Sequence, residues 1–273
     1  MKDKIAFVAI GQAGGNIGQL FEERGFSVLY LNTSEEDLST LEDAKFKYHI
    51  TGGEGCNKDR RKAKQLVIDD YDSIATEMDA KIKADIIFVV FASGGGTGSG
   101  AGPMLCDLLI DDGKTVGAVT VLPALDESIK SHVNAYECFS ELTKIDGLSA
   151  CFILDNENGN KLDLNKEFVE DFTAFVEIPD KIQSVEGNID KAEIQETLKA
   201  HGMAVVLQSS PDSADVIKKI QSNVFAPIEP DRVVKYITAA MSSEARMADI
   251  EKALGVPVDT FQTLSSGTVL CAS

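Results

Sequence analysis

The sequence predicts an α/β protein: a parallel-sheet nucleotide-binding domain (residues 1–160), a central helix and linker (161–186), and a smaller α+β domain (187–273). Three observations carry this. Apolar runs at 5–10, 26–31, 86–91 and 115–122 have the pattern of central parallel strands buried on both faces. The runs at 5–10 and 86–91 lead through glycine-rich turns into helical periodicity, the arrangement of nucleotide-binding α/β units. From about residue 204 onward strands and helices follow one another without another such turn, which reads as a second α+β domain.

Composition narrows the function. A chain of 273 residues with 44% hydrophobic content can bury one large core or two modest ones. A net charge of −18 argues against direct grip on nucleic acid or an anionic membrane, so any DNA contact would pass through a basic partner. Cys56, Cys106, Cys138, Cys151 and Cys271 show no C-x-x-C spacing and read as reduced, mostly buried thiols of a cytoplasmic protein. The start MKDKIAFVAIGQ reads as a first strand and not a signal peptide, and no apolar stretch approaches membrane-spanning length.

Taken in order, the strand Ile5–Ile10 ends in GQAGGNIG ahead of helical Ile17, Leu20 and Phe21. The dinucleotide fingerprint fails here. Gly11, Gly14, Gly15 and Gly18 do not give G-x-G-x-x-G, and the second strand, Phe26–Leu31, is followed by Asn32 and not by an acid. A second glycine turn at Gly52, Gly53 and Gly55 precedes a basic run, Lys58, Arg60, Arg61, Lys62 and Lys64, which reads either as a solvated face or as charge near a phosphate or a neighbouring subunit.

The run Ile86–Phe91 ends in Gly94–Gly100, GGGTGSG, before a helix expected to open at Pro103 and to bury Met104, Leu105, Leu108 and Leu109. Glycines leave backbone N–H groups open to a small anion, and the helix dipole points at the same place. No lysine occurs between Lys83 and Lys114, so this is not a Walker A loop, and phosphate falls to backbone N–H groups and the hydroxyls of Ser93, Thr97 and Ser99. The alternative, a flexible linker, does not usually sit between a buried strand and a helix.

Next come the strand 115–122 with PALDESIK, a helix through Val133, Tyr136, Phe139 and Leu142, and the strand CFILD before Asn156. Leu164, Phe168, Phe172 and Phe175 mark one face of a helix from about 162 to 175, interrupted by Pro179. In EGNIDKAEIQ, Asn188 suits an N-cap and the acids Asp190 and Glu193 a first turn. The rest reads as strands at 204–208, 233–240 and 260–272 and helices at 214–221 and 245–254.

GGGTGSG resembles the signature loop of the tubulin/FtsZ superfamily of GTP-binding filament proteins, and GQAGGNI, LNTSEEDL, PALDESIK, DNE and NIDKAE resemble further loops of that family in its order. The resemblance implies GTP and Mg²⁺ as cofactors. It implies GTP contacts at Gly11, Gln12, Ala13, Asn16, Asn32, Ser93, Gly94, Gly95, Gly96, Thr97, Gly98 and Ser99, with Glu127 at the ribose and Asn156 on the guanine edge. Base contacts near the start of the central helix would come from Asn165, with Asp163 and a stacking Phe168 as further candidates. No protein ligand for the metal stands out, so phosphates and water would hold it.

Asn188, Asp190 and Glu193 match the loop that the family presents to the nucleotide of the next subunit. The implied reaction is GTP hydrolysis activated by head-to-tail polymerisation, with the smaller domain as the activation domain. Ser131 stands where FtsZ has arginine, and this, the tubulin-like GQAGGNI and the reduced second domain resemble the TubZ branch. That branch moves plasmid or phage DNA through a DNA-bound adaptor, TubR, with no membrane partner. An FtsZ-type division protein and a non-hydrolysing nucleotide-binding scaffold are the competing readings.

Overall fold

The structure is a computed structural model describing residues 1–185, 187–222, 224–227 and 233–273. The chain forms two compact units, one of Lys2–Ser149 with Leu154–Glu157, the other of Met1, Ala150–Ile153 and Asn158–Ser273.

In the first unit β1 (Ile5–Ile10), α1 (Gly11–Glu23), β2 (Ser27–Asn32), α2 (Glu35–Ser39) and β3 (Phe46–His49) are followed by α3 (Arg60–Asp69) and α4 (Tyr71–Lys81). Then come β4 (Ile86–Ala92), α5 (Thr97–Asp111), β5 (Val116–Leu122) and α6 (Ile129–Leu142). The sheet is parallel, in the order β3-β2-β1-β4-β5. Every residue of β1 and the first six of β4 are buried, as the unbroken apolar runs require of strands covered on both faces. Phe7 stacks on Phe21 of α1 at 3.7 Å between ring centroids, joining strand to helix.

The second unit holds β6 (Ala150–Asp155, its last two residues grouped with the first unit), α7 (Lys161–Val176), α8 (Ile178–Lys181), α9 (Lys191–Lys199), β7 (Gly202–Ser209) and α10 (Ser213–Ser222). β8 (Tyr236–Met241), α11 (Met247–Leu254), β9 (Asp259–Leu264) and β10 (Thr268–Ala272) complete it. β7, β10 and β8 pair antiparallel, while β8 with β9 and β6 with β7 pair parallel. No helix among the described residues is long and apolar enough to cross a membrane, and all five cysteines are buried and outside any disulfide.

Several boundaries differ from those read in the sequence, each for a physical reason. α1 opens at Gly11, directly off β1, because its glycines let it pack tightly: a Cβ at Gly14 would lie 2.3 Å from the Val90 carbonyl oxygen. α5 opens at Thr97, not at Pro103, so half of the signature loop is the helix's first turn. Pro103 is therefore interior and cannot donate to the Ser99 carbonyl; the Arg60 guanidinium does so instead, Nη2 to oxygen at 2.9 Å. α6 buries Ser131, Asn134, Ala135, Cys138 and Leu142, leaving Val133 and Tyr136 exposed. β8 begins at Tyr236, three residues later than expected. The short α2 and β3 and the weakly amphipathic α4 have no clear periodic signal in the sequence.

Candidate functional site

In the first unit the carboxyl ends of the parallel strands carry the loops singled out in the sequence. β1 delivers Gly11, whose missing Cβ would stand 3.5 Å from the Gly98 nitrogen and 3.6 Å from the Thr97 Cβ. β2 delivers Asn32 and Thr33, and the hydroxyls of Thr33 and Thr97 hydrogen-bond to one another at 2.8 Å. The turn after β3 closes on the same point: Gly55 N–H donates to the Thr33 carbonyl at 2.7 Å, and Thr33 Oγ1 lies 3.4 Å from Cys56 Sγ. Gln12, Asn16 and Asn32 line one small cavity of about 30 Å³, with Gln12 and Asn16 one turn apart on α1 and Ala13 half-buried between them.

The glycine loop after β4 is the centre of this arrangement. Among the described residues the N–H groups of Gly94, Gly95 and Gly96 form no hydrogen bond, while the carbonyls of Gly94 and Gly95 are held from behind. The holding group is the buried Asn134 amide of α6, whose Nδ2 lies 3.3 Å from the Gly94 oxygen and 2.9 Å from the Gly95 oxygen. The same nitrogen lies 3.3 Å from the Lys58 carbonyl oxygen, so one side chain ties the two glycine turns together. Gly96 gives that approach its room: a Cβ there would fall 2.7 Å from the Lys58 Cα. Three unengaged donors at the N-terminus of a 15-residue helix form an anion cradle.

The serine hydroxyls do not join the cradle. Ser93 is fully buried and donates into the sheet, to the Val121 carbonyl at 2.8 Å; Ser99, also fully buried, donates back to the Gly95 carbonyl. Each adds a second donor to a backbone carbonyl already held, Val121 O by Ser93 N–H and Gly95 O by Asn134, and only Thr97 of the three anticipated hydroxyls is half-exposed at the loop. Asn32 is buried, its amide donating to Asp37 Oδ2 at 3.3 Å and its oxygen accepting from Ser34 N–H at 3.1 Å. Glu127 is half-buried in the loop after β5, and that loop is tethered to the strand end beside Asn156, because Leu125 N–H donates to Glu157 Oε2 at 2.9 Å. The first residue of the basic run sits here: Lys58 Nζ donates to Ser128 Oγ at 2.9 Å and to Ser131 Oγ at 2.8 Å.

The second unit carries the other candidates. Asn165 is buried on α7, where Asp163 is exposed. Phe168 is fully buried among Phe152, Phe172 and Phe225, which makes it core and removes it as a base-stacking ring. The N-cap of α9 is Asp190 and not Asn188, whose Oδ1 instead accepts from Ser184 N–H at 2.7 Å. Asp190 and Glu193 form a capping box: Asp190 Oδ1 accepts from Ala192 and Glu193 N–H at 2.8 and 2.9 Å, and Glu193 Oε2 accepts from Asp190 N–H at 2.8 Å. Each carboxylate thus commits one oxygen to the helix start.

Asp171, on the same helix α7, has its carboxyl pushed up to about 7 by burial, offset by the Gln208 amide that donates to its Oδ1 at 3.1 Å and by the Lys219 charge. Its Oδ2 is buried with no partner among the described residues.

Among the described residues no group of three His, Cys, Asp or Glu is placed to hold a metal ion. The oxygens at the cradle are hydroxyl and amide oxygens, which suit a hard cation arriving already bound to phosphates.

Comparison with known proteins agrees with this geometry. The family described as Tubulin/FtsZ family, GTPase domain, matches residues 4–162. A tubulin-like protein TubZ of Clostridium botulinum C phage is 32% identical over 97% of the chain and 77% of its own length. The crystal structure of Clostridium botulinum phage c-st TubZ superposes with a TM-score of 0.89 at 29% identity, covering 100% of this chain and 92% of that one. CetZ2 of Haloferax volcanii, solved as a GTPγS-bound protofilament, shares the fold at a TM-score of 0.76 and 19% identity, over 98% of this chain and 92% of its own. With glycine-rich turns after β1, β3 and β4 at one end of a parallel sheet and the family's domain matched over more than half the chain's length, the chain belongs to the tubulin/FtsZ family.

Proposed function

We propose that this protein binds and hydrolyses GTP and polymerises head to tail, each nucleotide site being completed by Asp190, Glu193 and Asn188 of the next copy. One observation carries the first half of this reading: the unengaged N–H groups of Gly94, Gly95 and Gly96 at the start of α5. They donate to phosphate oxygens, and their carbonyls, those of Gly94 and Gly95 bound by Asn134 and that of Gly96 by Gly100 N–H, cannot turn to repel those oxygens. Gly11, Gln12 and Ala13 flank the phosphates, Asn16 lies near the sugar, Glu127 takes the ribose, and Asn156 and Asn165 read the base. An amide offers the donor and acceptor that match guanine.

The second half rests on chemistry and on kinship. A carboxylate held beside the γ-phosphate orients and polarises the attacking water, and cradle N–H groups stabilise the charge that grows on phosphate oxygen. Mg²⁺, when bound, neutralises phosphate charge. Asp190 and Glu193 each keep an oxygen outside the capping box, which leaves both able to serve a neighbouring copy. The GTPγS-bound protofilament of the related CetZ2 supports self-association as the working state.

Kinship with phage TubZ supports movement of plasmid or phage DNA in the cytoplasm as the cellular task. A net charge of −18 fits contact through a basic adaptor of the TubR kind.

Sedimentation of the protein with different nucleotides tests the reading. Polymer is expected to pellet with GTP and GTPγS and to stay in the supernatant with GDP or ATP. Equal pelleting with ATP would remove Asn156 from base recognition, and no pelleting with any nucleotide would remove the polymer.

A further inference from the structure

The glycine cradle has no lysine of its own, yet a lysine reaches it from the preceding turn. Asn57 and Lys58 both adopt left-handed backbone, φ 44° and 57°, a conformation that side-chain-bearing residues rarely take and that functional sites tend to retain. Their turn is pressed against the cradle at Gly96 and tied to it through Asn134. The consequence is the position of the Lys58 ammonium, held on Ser131, whose own Cβ is 3.2 Å from where a Gly94 Cβ would stand.

The partners of this ammonium are unusual for a protein with 44 acidic residues. Among the described residues Lys58 donates only to the neutral hydroxyls of Ser128 and Ser131, whereas its neighbour Arg60 is bound to Glu137 and Glu141 at 3.0 Å each and Lys64 lies 3.7 Å from Glu141. A cation held by hydroxyls loses little on moving to an anion, because a charge-assisted bond to phosphate is stronger than a bond to a neutral oxygen.

We propose that Lys58 is the phosphate-binding cation of this site. Its ammonium contacts the outermost phosphate of the bound nucleotide, and Ser128 and Ser131 hold it beside Gly94 until that phosphate arrives. The assignment rests on the GTP-binding reading and deepens it, since it makes Lys58 the group that distinguishes a triphosphate from a diphosphate.

The test is the affinity of GTPγS and of GDP for wild type, Lys58→Gln, Lys58→Asn and Lys58→Arg, measured at protein concentrations too low for assembly. Asparagine tolerates left-handed backbone, so that variant keeps the turn while removing the charge. Both neutral variants should lose on the order of 10- to 100-fold in GTPγS affinity, as expected for one charge-assisted hydrogen bond, with GDP affinity nearly unchanged. Lys58→Arg should retain most of the GTPγS affinity. Equal losses for the two nucleotides, no loss, or failure of arginine to retain affinity would overturn the assignment. Failure of the wild type to bind either nucleotide would instead overturn the GTP reading itself.

Discussion

Asn134 and Asp171 show how much of this protein's behaviour rests on single buried polar side chains. The Asn134 amide holds three carbonyls from two turns, so Asn134→Ala removes that donor from the Lys58 and Gly94 oxygens, leaves the Gly95 oxygen to Ser99 Oγ, and loosens the turn at Gly94 and Gly95. The variant should lose about 1–3 kcal/mol of stability in urea melts and bind GTP at least tenfold more weakly. An unchanged affinity would show that the cradle holds its shape without the amide. This role does not stand out in the sequence, whereas Lys58 belongs to the basic run, which reads either as a solvated face or as charge near a phosphate or a neighbouring subunit. The available signal was a polar residue three positions after Ser131 on the face of α6 that turns out to be buried, but exposed Val133 and Tyr136 drew the apolar stripe to the wrong side.

Asp171 supplies a pH dependence. Its folded-state pKa, about 7, lies above the unfolded value of about 3.9, so the folded state binds the proton more firmly. Below about pH 4 this group costs nothing; as pH rises toward 7 the unfolded chain sheds its proton first and stability falls. Between pH 5 and 7.5 the loss should reach up to about 3 kcal/mol, and Asp171→Asn should abolish it. Urea melts across that range check the sign, and identical slopes for the two proteins would contradict it.

At the scale of elements, the buried strands and the glycine loop were legible because both depend on local pattern: an unbroken apolar run for a two-sided strand, and glycines where strand meets helix. Helix starts were less legible, because distant groups decide them. Pro103 marks a helix N-terminus by local rule, yet α5 runs through it because Arg60 on α3 supplies the donor that proline lacks. The two helices are in close contact at that point: a Cβ at Gly100 would fall 2.2 Å from the Arg60 carbonyl oxygen. Gly100→Ala should therefore force α3 and α5 apart and cost about 1–3 kcal/mol, read as a lowered urea midpoint. The start of α9 carries a different lesson, since its acids have a sufficient structural role in the capping box and a proposed catalytic one. Glu193→Gln separates them, because glutamine also completes a capping box. That variant should fold like wild type within a few tenths of a kcal/mol, whereas Glu193→Ala should lose about 1 kcal/mol.

For the whole molecule, the central claim is that one copy holds only half of the reaction's machinery. The cradle lies in the first compact unit and the capping-box acids in the second, and the proposed reaction uses the cradle of one copy and the capping-box acids of another. Sequence could reach this only through family resemblance, because no spacing within one chain encodes a partner's contribution. Phosphate release per molecule, followed as protein concentration rises from below to above that at which polymer forms, tests the claim most directly. The account predicts near-zero turnover in dilute protein and a steep rise at assembly, with Glu193→Gln assembling on GTP but releasing little phosphate and leaving polymer that does not disperse. Turnover per molecule that is flat with concentration, or a Glu193→Gln variant as active as wild type, would contradict it.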